Sequence, residues 1–138
     1  MTVRWYTLAV DCRDAPALAR WWAGVLDWQV TYEGDDEVVI GPRHAVDGQS
    51  ADIPVEQRAP ALAFGPVPEG KQVKNRVHFD LVPTDRTRDE EIERVLALGA
   101  MPLDDRRQPD GSGWLVLTDP EGNEFCILRS DAERGTSV

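Results

Sequence analysis

An α+β fold built from two copies of one strand-helix-strand-strand-strand module is the architecture this sequence predicts. Three observations carry that prediction. Strand-type and helix-type apolar spacing alternate in the same order in both halves of the chain. An aspartate, Asp14 or Asp85, stands ahead of each candidate helix. Residues 7–14 also align with residues 78–85 at a constant offset (78 − 7 = 71), pairing Leu8 with Phe79 and Asp14 with Asp85. At 138 residues the chain is long enough for one full hydrophobic core and too short for two ordinary ones. The expectation is therefore one domain spanning 1–138, with module one at about 1–70, module two at about 71–130 and a short linker over 71–76.

Each element has a local reason. Val3 to Cys12 is an apolar run with aromatic and β-branched residues, a strand pattern, and Arg13-Asp14-Ala15-Pro16 turns it into a helix start. Asp14 is suited to the N-cap, and Pro16 is tolerated in the first turn. Leu18, Trp21, Trp22, Val25 and Leu26 then recur at helical spacing, predicting a helix over Ala15 to Leu26 that ends near Asp27. Strands are predicted at Trp28 to Tyr32 and Glu37 to Ile40, on either side of the turn-forming Glu33-Gly34-Asp35-Asp36. The polar stretch from Gly41 to Pro60 is read as loop, followed by a strand at Ala61 to Phe64.

The second half repeats the order. A strand is predicted at Lys74 to Val82 and a helix start at Pro83-Thr84-Asp85. The helix itself is expected from Arg86 to Leu98, with Ile92, Val95, Leu96 and Leu98 inward and Asp89, Glu90, Glu91 and Glu93 mostly outward. Trp21 is aligned with Ile92, Leu26 with Leu98 and Trp28 with Ala100. Gly99 suits the C-terminal cap. Strands at Met101 to Asp105, Trp114 to Thr118 and Glu124 to Leu128 complete the module, joined by turns at 109–113 and 119–123.

Composition excludes several functions. Twenty-five acidic against 15 basic residues give a formal charge of −10, which repels phosphate backbones and anionic lipid, so neither nucleic acid nor a membrane is an expected partner. No apolar run approaches the ~20 residues of a membrane span, and the opening residues lack a signal-peptide core. Cys12 and Cys126 form no C-x-x-C pair, which fits a reducing, cytoplasmic location. Glu90, Glu91 and Glu93 lie among Arg86, Arg88 and Arg94 and read as a solvated helix face with weak ion pairs. Gly111-Ser112-Gly113 is a turn, since it lacks the lysine and strand-to-helix setting of a phosphate loop.

Three phrases carry a family resemblance: Asp11-Cys12-Arg13-Asp14 with Trp21-Trp22, the run Lys74-Asn75-Arg76-Val77-His78-Phe79-Asp80-Leu81, and Trp114-Leu115-Val116-Leu117 leading into Asp119-Pro120-Glu121-Gly122-Asn123-Glu124-Phe125-Cys126. In these the chain resembles the vicinal oxygen chelate superfamily of glyoxalases, bleomycin-resistance proteins and extradiol dioxygenases, and most of all the short glyoxalase-like domain proteins. The resemblance implies paired βαβββ modules whose mixed sheets curve around a cavity, and a homodimer. In metal-dependent members, four positions hold a divalent cation with His, Gln and Glu. They fall here on Thr7, His78, Cys126 and a position near Phe64 or Gly65, and only His78 is an ordinary ligand. One His and one Cys do not make a stable site, so no metal or other cofactor is expected.

His78 and Asp80 are two apart on a predicted strand and point to one face, with Phe79 and Leu81 on the other. They are the candidate acid–base pair. Cys126 alternates with Phe125 and Ile127 and is expected on the cavity side, as a small buried hydrophobe and not a His78-activated nucleophile. The expected ligand-binding set is thus Thr7, Phe64, His78, Asp80, Trp114 and Cys126, with Trp5, Tyr6 and Trp28 as further aromatic candidates. The predicted function is metal-free binding of a small, partly aromatic organic molecule, as in drug sequestration. The alternative is a metal-dependent lyase, isomerase or dioxygenase, its cation held by His78 with Glu69, Glu124 or Asp80.

Overall fold

The structure is a computed structural model that describes residues 2–45 and 52–135, and it divides into two compact units, residues 1–70 and 71–138. Unit one contains β1 (Thr7–Cys12), α1 (Ala15–Leu26), β2 (Gln29–Glu33), β3 (Val38–Gly41) and β4 (Ala61–Pro66). Unit two contains β5 (Phe79–Leu81), α2 (Arg88–Ala97), β6 (Met101–Asp105), β7 (Trp114–Thr118) and β8 (Glu124–Leu128). The sheets have matching orders, β1-β4-β3-β2 and β5-β8-β7-β6. In each, the first and last strands of the module run parallel and the other pairs are antiparallel. This is the predicted α+β fold of two βαβββ modules.

α1 has the predicted limits. Asp14 accepts the Ala17 amide at 3.2 Å, proline occupies the first turn, and Asp27 closes the helix in the left-handed region at φ 53°. Leu18, Ala19 and Trp22 are buried, as are Val38, Ile40, Leu62 and Phe64 on the strands, and α1 packs against the sheet. Trp21 meets Trp22 edge-to-face at 5.1 Å. Within the 41–60 loop, short helical turns form at Arg43–Ala45 and Val55–Gln57. Residues 46–51 lie outside the described residues.

Module two departs from the prediction in two places. The strand expected over 74–82 is only three residues long; ahead of it, the Asn75 amide donates to the Glu124 carboxylate (3.0 Å) and not to a neighbouring strand. The helix begins later than Asp85. Thr87 is its N-cap, its side chain accepting the Glu90 amide at 3.2 Å, and its hydroxyl donates to the Glu90 carboxylate at 3.0 Å, so the T-x-x-E pair is joined through the hydroxyl and not through the Thr87 backbone amide of a capping box. Asp85 instead pairs with Arg86 at 3.1 Å. The true helical offset is therefore 87 − 14 = 73, and it superimposes the inward positions: Ala15, Leu18, Ala19 and Trp22 of α1 correspond to Arg88, Glu91, Ile92 and Val95 of α2, all buried. Ile92 thus matches Ala19 and not Trp21.

That correspondence also corrects the solvated-face reading. Glu91 is buried and pairs with Arg94, so one of the three glutamates belongs to the interior. Arg88 is buried too, and its Nη1 donates to the carbonyls of Gly111, Ser112 and Gly113 at 3.0–3.1 Å, while the Glu133 carboxylate accepts its amide at 2.8 Å. A cation in the first turn of a helix opposes the helix dipole. Asp89, bonded to its Nε at 2.9 Å, offsets that cost. Among the described residues no helix is long and apolar enough to cross a membrane.

Candidate functional site

The two faces of the module-two sheet differ in chemistry. Phe125, Ile127, Leu115 and Leu117 are almost wholly buried on one face. Strand alternation puts Cys126, Val116 and Trp114 on the other, and the ladders add Asp80 beside Cys126 and Asp104 beside Val116. This second face carries the polar cluster.

His78 Nδ1 lies 3.2 Å from Asp80 Oδ1, so the two side chains share a face as their spacing predicted. Both are exposed. Cys126, on the adjacent parallel strand, is buried and directly opposite Asp80 in register. One donor atom from each of the three lies within 4.8 Å of the others. Burial, with the charge of Asp80 and its hydrogen bond next, pushes the Cys126 thiol up to about 11. At neutral pH it is a protonated donor to Asp80 and not a thiolate nucleophile.

The end of β8 is fixed by two devices. The buried Asp119 carboxylate accepts the amides of Glu121 and Asn123, both at 2.9 Å, and Gly122 takes φ +90° to let the 119–123 turn close. Glu124 then accepts Lys71 Nζ at 2.9 Å, with both side chains largely buried. Burial works to raise the Glu124 pKa, but the Lys71 hydrogen bond and the Asn75 amide outweigh it and hold the carboxyl below its ordinary value. A depressed carboxyl pKa contributes stability above its unfolded value and loses it as pH falls through the folded value. Lys71→Met is therefore expected to destabilise the protein at neutral pH, with the gap from the unmodified protein closing as pH falls below the ordinary value of 4.5. Urea denaturation at several pH values measures that gap, and a pH-independent gap would dissociate Lys71 from Glu124.

The other expected site residues separate. Trp114 is 42% exposed on the cluster-bearing face. Thr7 donates its hydroxyl to the Ala61 carbonyl at 3.0 Å. Phe64 is completely buried and belongs to the core, which corrects its assignment as a binding residue. Ladder symmetry also moves the equivalent of Cys126: Asp80 pairs with Cys126 as Ala9 pairs with Ala63, so the module-one position is Ala63, which carries no donor. Trp5 and Tyr6 are exposed on the segment before β1 and do not form an aromatic pocket; the Trp5 indole donates to the Thr7 carbonyl, and Arg4 stacks over Tyr6 at 5.7 Å. Asp80 as a third member of the cluster was legible in the H-x-D spacing, whereas its reach to Cys126 depended on strand register. Two hollows of about 480 and 320 Å³ in module two lie elsewhere, one beside Arg86, Thr87 and Glu133 and one beside Ile92, Leu103 and Arg107.

Comparison with known structures places the fold. The fosfomycin resistance protein FosX from Listeria monocytogenes, in a mutant form complexed with Mn(II) and 1S,2S-dihydroxypropylphosphonic acid, aligns with a TM-score of 0.66 at 15% identity, covering 97% of this chain and 95% of that one. FosX from Mesorhizobium loti aligns with a TM-score of 0.63 at 18% identity, covering 97% and 98%. A glyoxalase/bleomycin resistance protein/dioxygenase family enzyme from Burkholderia phytofirmans gives 0.61 at 16%, covering 91% and 97%. These likenesses define the class, a fold of paired βαβββ modules. The sequence goes further: residues 7–128 match the glyoxalase-like domain, and the chain belongs to that family. No curated protein matches the sequence.

Proposed function

We propose that this glyoxalase-like protein binds a small organic molecule on the cluster-bearing face of the module-two sheet. His78, Asp80 and Cys126 form the polar anchor and Trp114 an apolar wall. The observation that supports this reading is the convergence of three donor atoms within 4.8 Å on the face that carries a half-exposed tryptophan. Pockets of this kind combine apolar surface with a few placed polar groups.

Asp80 also changes the metal expectation, which counted only His78 and Cys126 as donors. An N, O and S set fits a divalent cation with three protein ligands and open positions, and the donor spacing is within about 1 Å of what bonds of ~2.0–2.3 Å require. His78 and Asp80, being exposed, leave the side away from β8 free for a ligand. A bound cation would supply Lewis-acid polarisation of a ligand oxygen. His78, whose Nδ1 lies 3.2 Å from Asp80 Oδ1, is positioned to hold or pass a proton. In this reading the protein is a cation-assisted enzyme of the lyase, isomerase or dioxygenase kind. Metal-free sequestration is the second reading, and it is favoured by the module-one positions, where the Thr7 hydroxyl is engaged and Ala63 offers no donor. The single-domain organisation over 1–138, the cytoplasmic location and the homodimer belong to the same proposal. Met101 and Leu103, exposed on the edge strand β6, support the dimer.

Elemental mass spectrometry of protein purified without chelator, paired with thermal-shift screening of aromatic and cationic compounds, tests these readings. A near-stoichiometric cation that is lost in His78→Ala supports the first. A ligand-induced shift without a cation, reduced in Trp114→Ala, supports the second. A shift unchanged in both variants places binding elsewhere.

A further inference from the structure

We infer that the His78–Asp80–Cys126 cluster selects a thiolate-accepting divalent cation of the zinc class over the hard Mn(II). The inference rests on the cation-assisted reading above and deepens it by naming the ion. One of its three donors is sulfur, one imidazole nitrogen and one carboxylate oxygen, and the three atoms lie within 4.8 Å of one another. Thiolate and imidazole suit zinc and cobalt, whereas manganese and magnesium are held by carboxylate, carbonyl and water. Among the described residues, the two carboxylates nearest in the strand ladders to the sulfur are engaged elsewhere. Glu124, two residues before Cys126 on the same strand, is committed to Lys71 Nζ at 2.9 Å and to the Asn75 amide at 3.0 Å. Asp104, aligned with Val116 on that face, is bonded to Arg106 Nε at 2.7 Å.

The position of the sulfur strengthens the selection. Cys126 is buried on an interior strand of the sheet, between β5 and β7, so its backbone is held by ladders on both sides and its side chain is enclosed. His78 and Asp80 are the exposed, adjustable members. A small tetrahedral ion whose site is completed by an outside oxygen meets that arrangement. A cation that demands six oxygen ligands does not.

The test is a titration of the full chain with Co(II), followed by the sulfur-to-cobalt charge-transfer absorption, and competition of the bound Co(II) with Zn(II) and with Mn(II). The expected result is one Co(II) per chain with the thiolate band, displaced by equimolar Zn(II) and not by a 100-fold excess of Mn(II). Cys126→Ser, near-isosteric and expected to keep the melting temperature of the metal-free protein, loses the band and narrows the zinc-over-manganese preference at least tenfold. His78→Ala, at an exposed position, weakens both ions. Co(II) bound without the thiolate band, or Mn(II) competing equally, overturns the inference and leaves the cation-assisted reading standing. Failure of every cation to bind overturns that reading, and the inference with it.

Discussion

Phe64→Ala is expected to cost about 3–5 kcal/mol of stability, the range for emptying a fully buried phenylalanine site. Phe64 has no exposed surface and sits on β4, hydrogen-bonded between β1 and β3, where its register partners are Val10 and Val38. Both neighbouring strands are held by backbone ladders, so the void cannot collapse, and it forfeits the dispersion contacts of the whole ring. In a chain of this length the loss corresponds to a fall of roughly 10–20 °C in Tm. Phe64→Leu keeps most of the volume and is expected to lose about 1 kcal/mol. Scanning calorimetry of both variants checks the difference. An alanine variant with unchanged Tm and weakened ligand binding would return Phe64 to the binding surface.

Arg88→Met is expected to cost about 3 kcal/mol, the scale for removing one partner of a buried charged network. The methionine fills much of the volume but leaves the carbonyls of Gly111, Ser112 and Gly113 without the cation that all three approach at 3.0–3.1 Å. Asp89 keeps Arg107 at 3.3 Å, so the loss concentrates in the turn. That turn leads directly into Trp114 and is closed by the Arg106 amide on the Trp114 carbonyl at 2.9 Å. Only glycine fits at 113: at φ +90°, a Cβ there would lie 2.1 Å from the Arg106 carbonyl oxygen. Guanidinium denaturation should show the stability loss, and hydrogen exchange should show amides 106–114 losing protection before β8 does. Lysine at position 88 is not expected to rescue, because a point charge does not reproduce the planar fork. A stability within 0.5 kcal/mol of the unmodified protein would mean that the three carbonyls find other donors.

The two helix starts show how far local signals carried. Asp14, one residue before the helix and followed by proline, was read correctly because nothing nearby competes with it. At the second helix the module repeat points to Asp85, yet Thr87 with Glu90 three residues on is the stronger local signal, and that pair forms the cap. Adopting Thr87 shifts the alignment by two residues and explains why Glu91, the counterpart of Leu18, is inside. The strand β5 is shorter than its sequence pattern for a different reason. Residues 74–78 have strand-compatible composition, but the Asn75 amide among them bonds the side chain of Glu124, a contact made 49 residues away that no local pattern announces.

Strand alternation alone determined that His78 and Asp80 share a face and that Cys126 turns away from Phe125 and Ile127. Period and capping fixed the element order and the repeated module, and the motif at 119–126 pointed to the family. Register was decided only by the tertiary structure, because a shift of one residue sends every side chain to the opposite face and the pairing of distant strands is set by the packing of the whole sheet. Register made Asp80 the neighbour of Cys126, put Ala63 and not Phe64 at the matching place in module one, and buried Phe64. The sequence by itself supplied the candidate residues, and the ladders decided which of them meet.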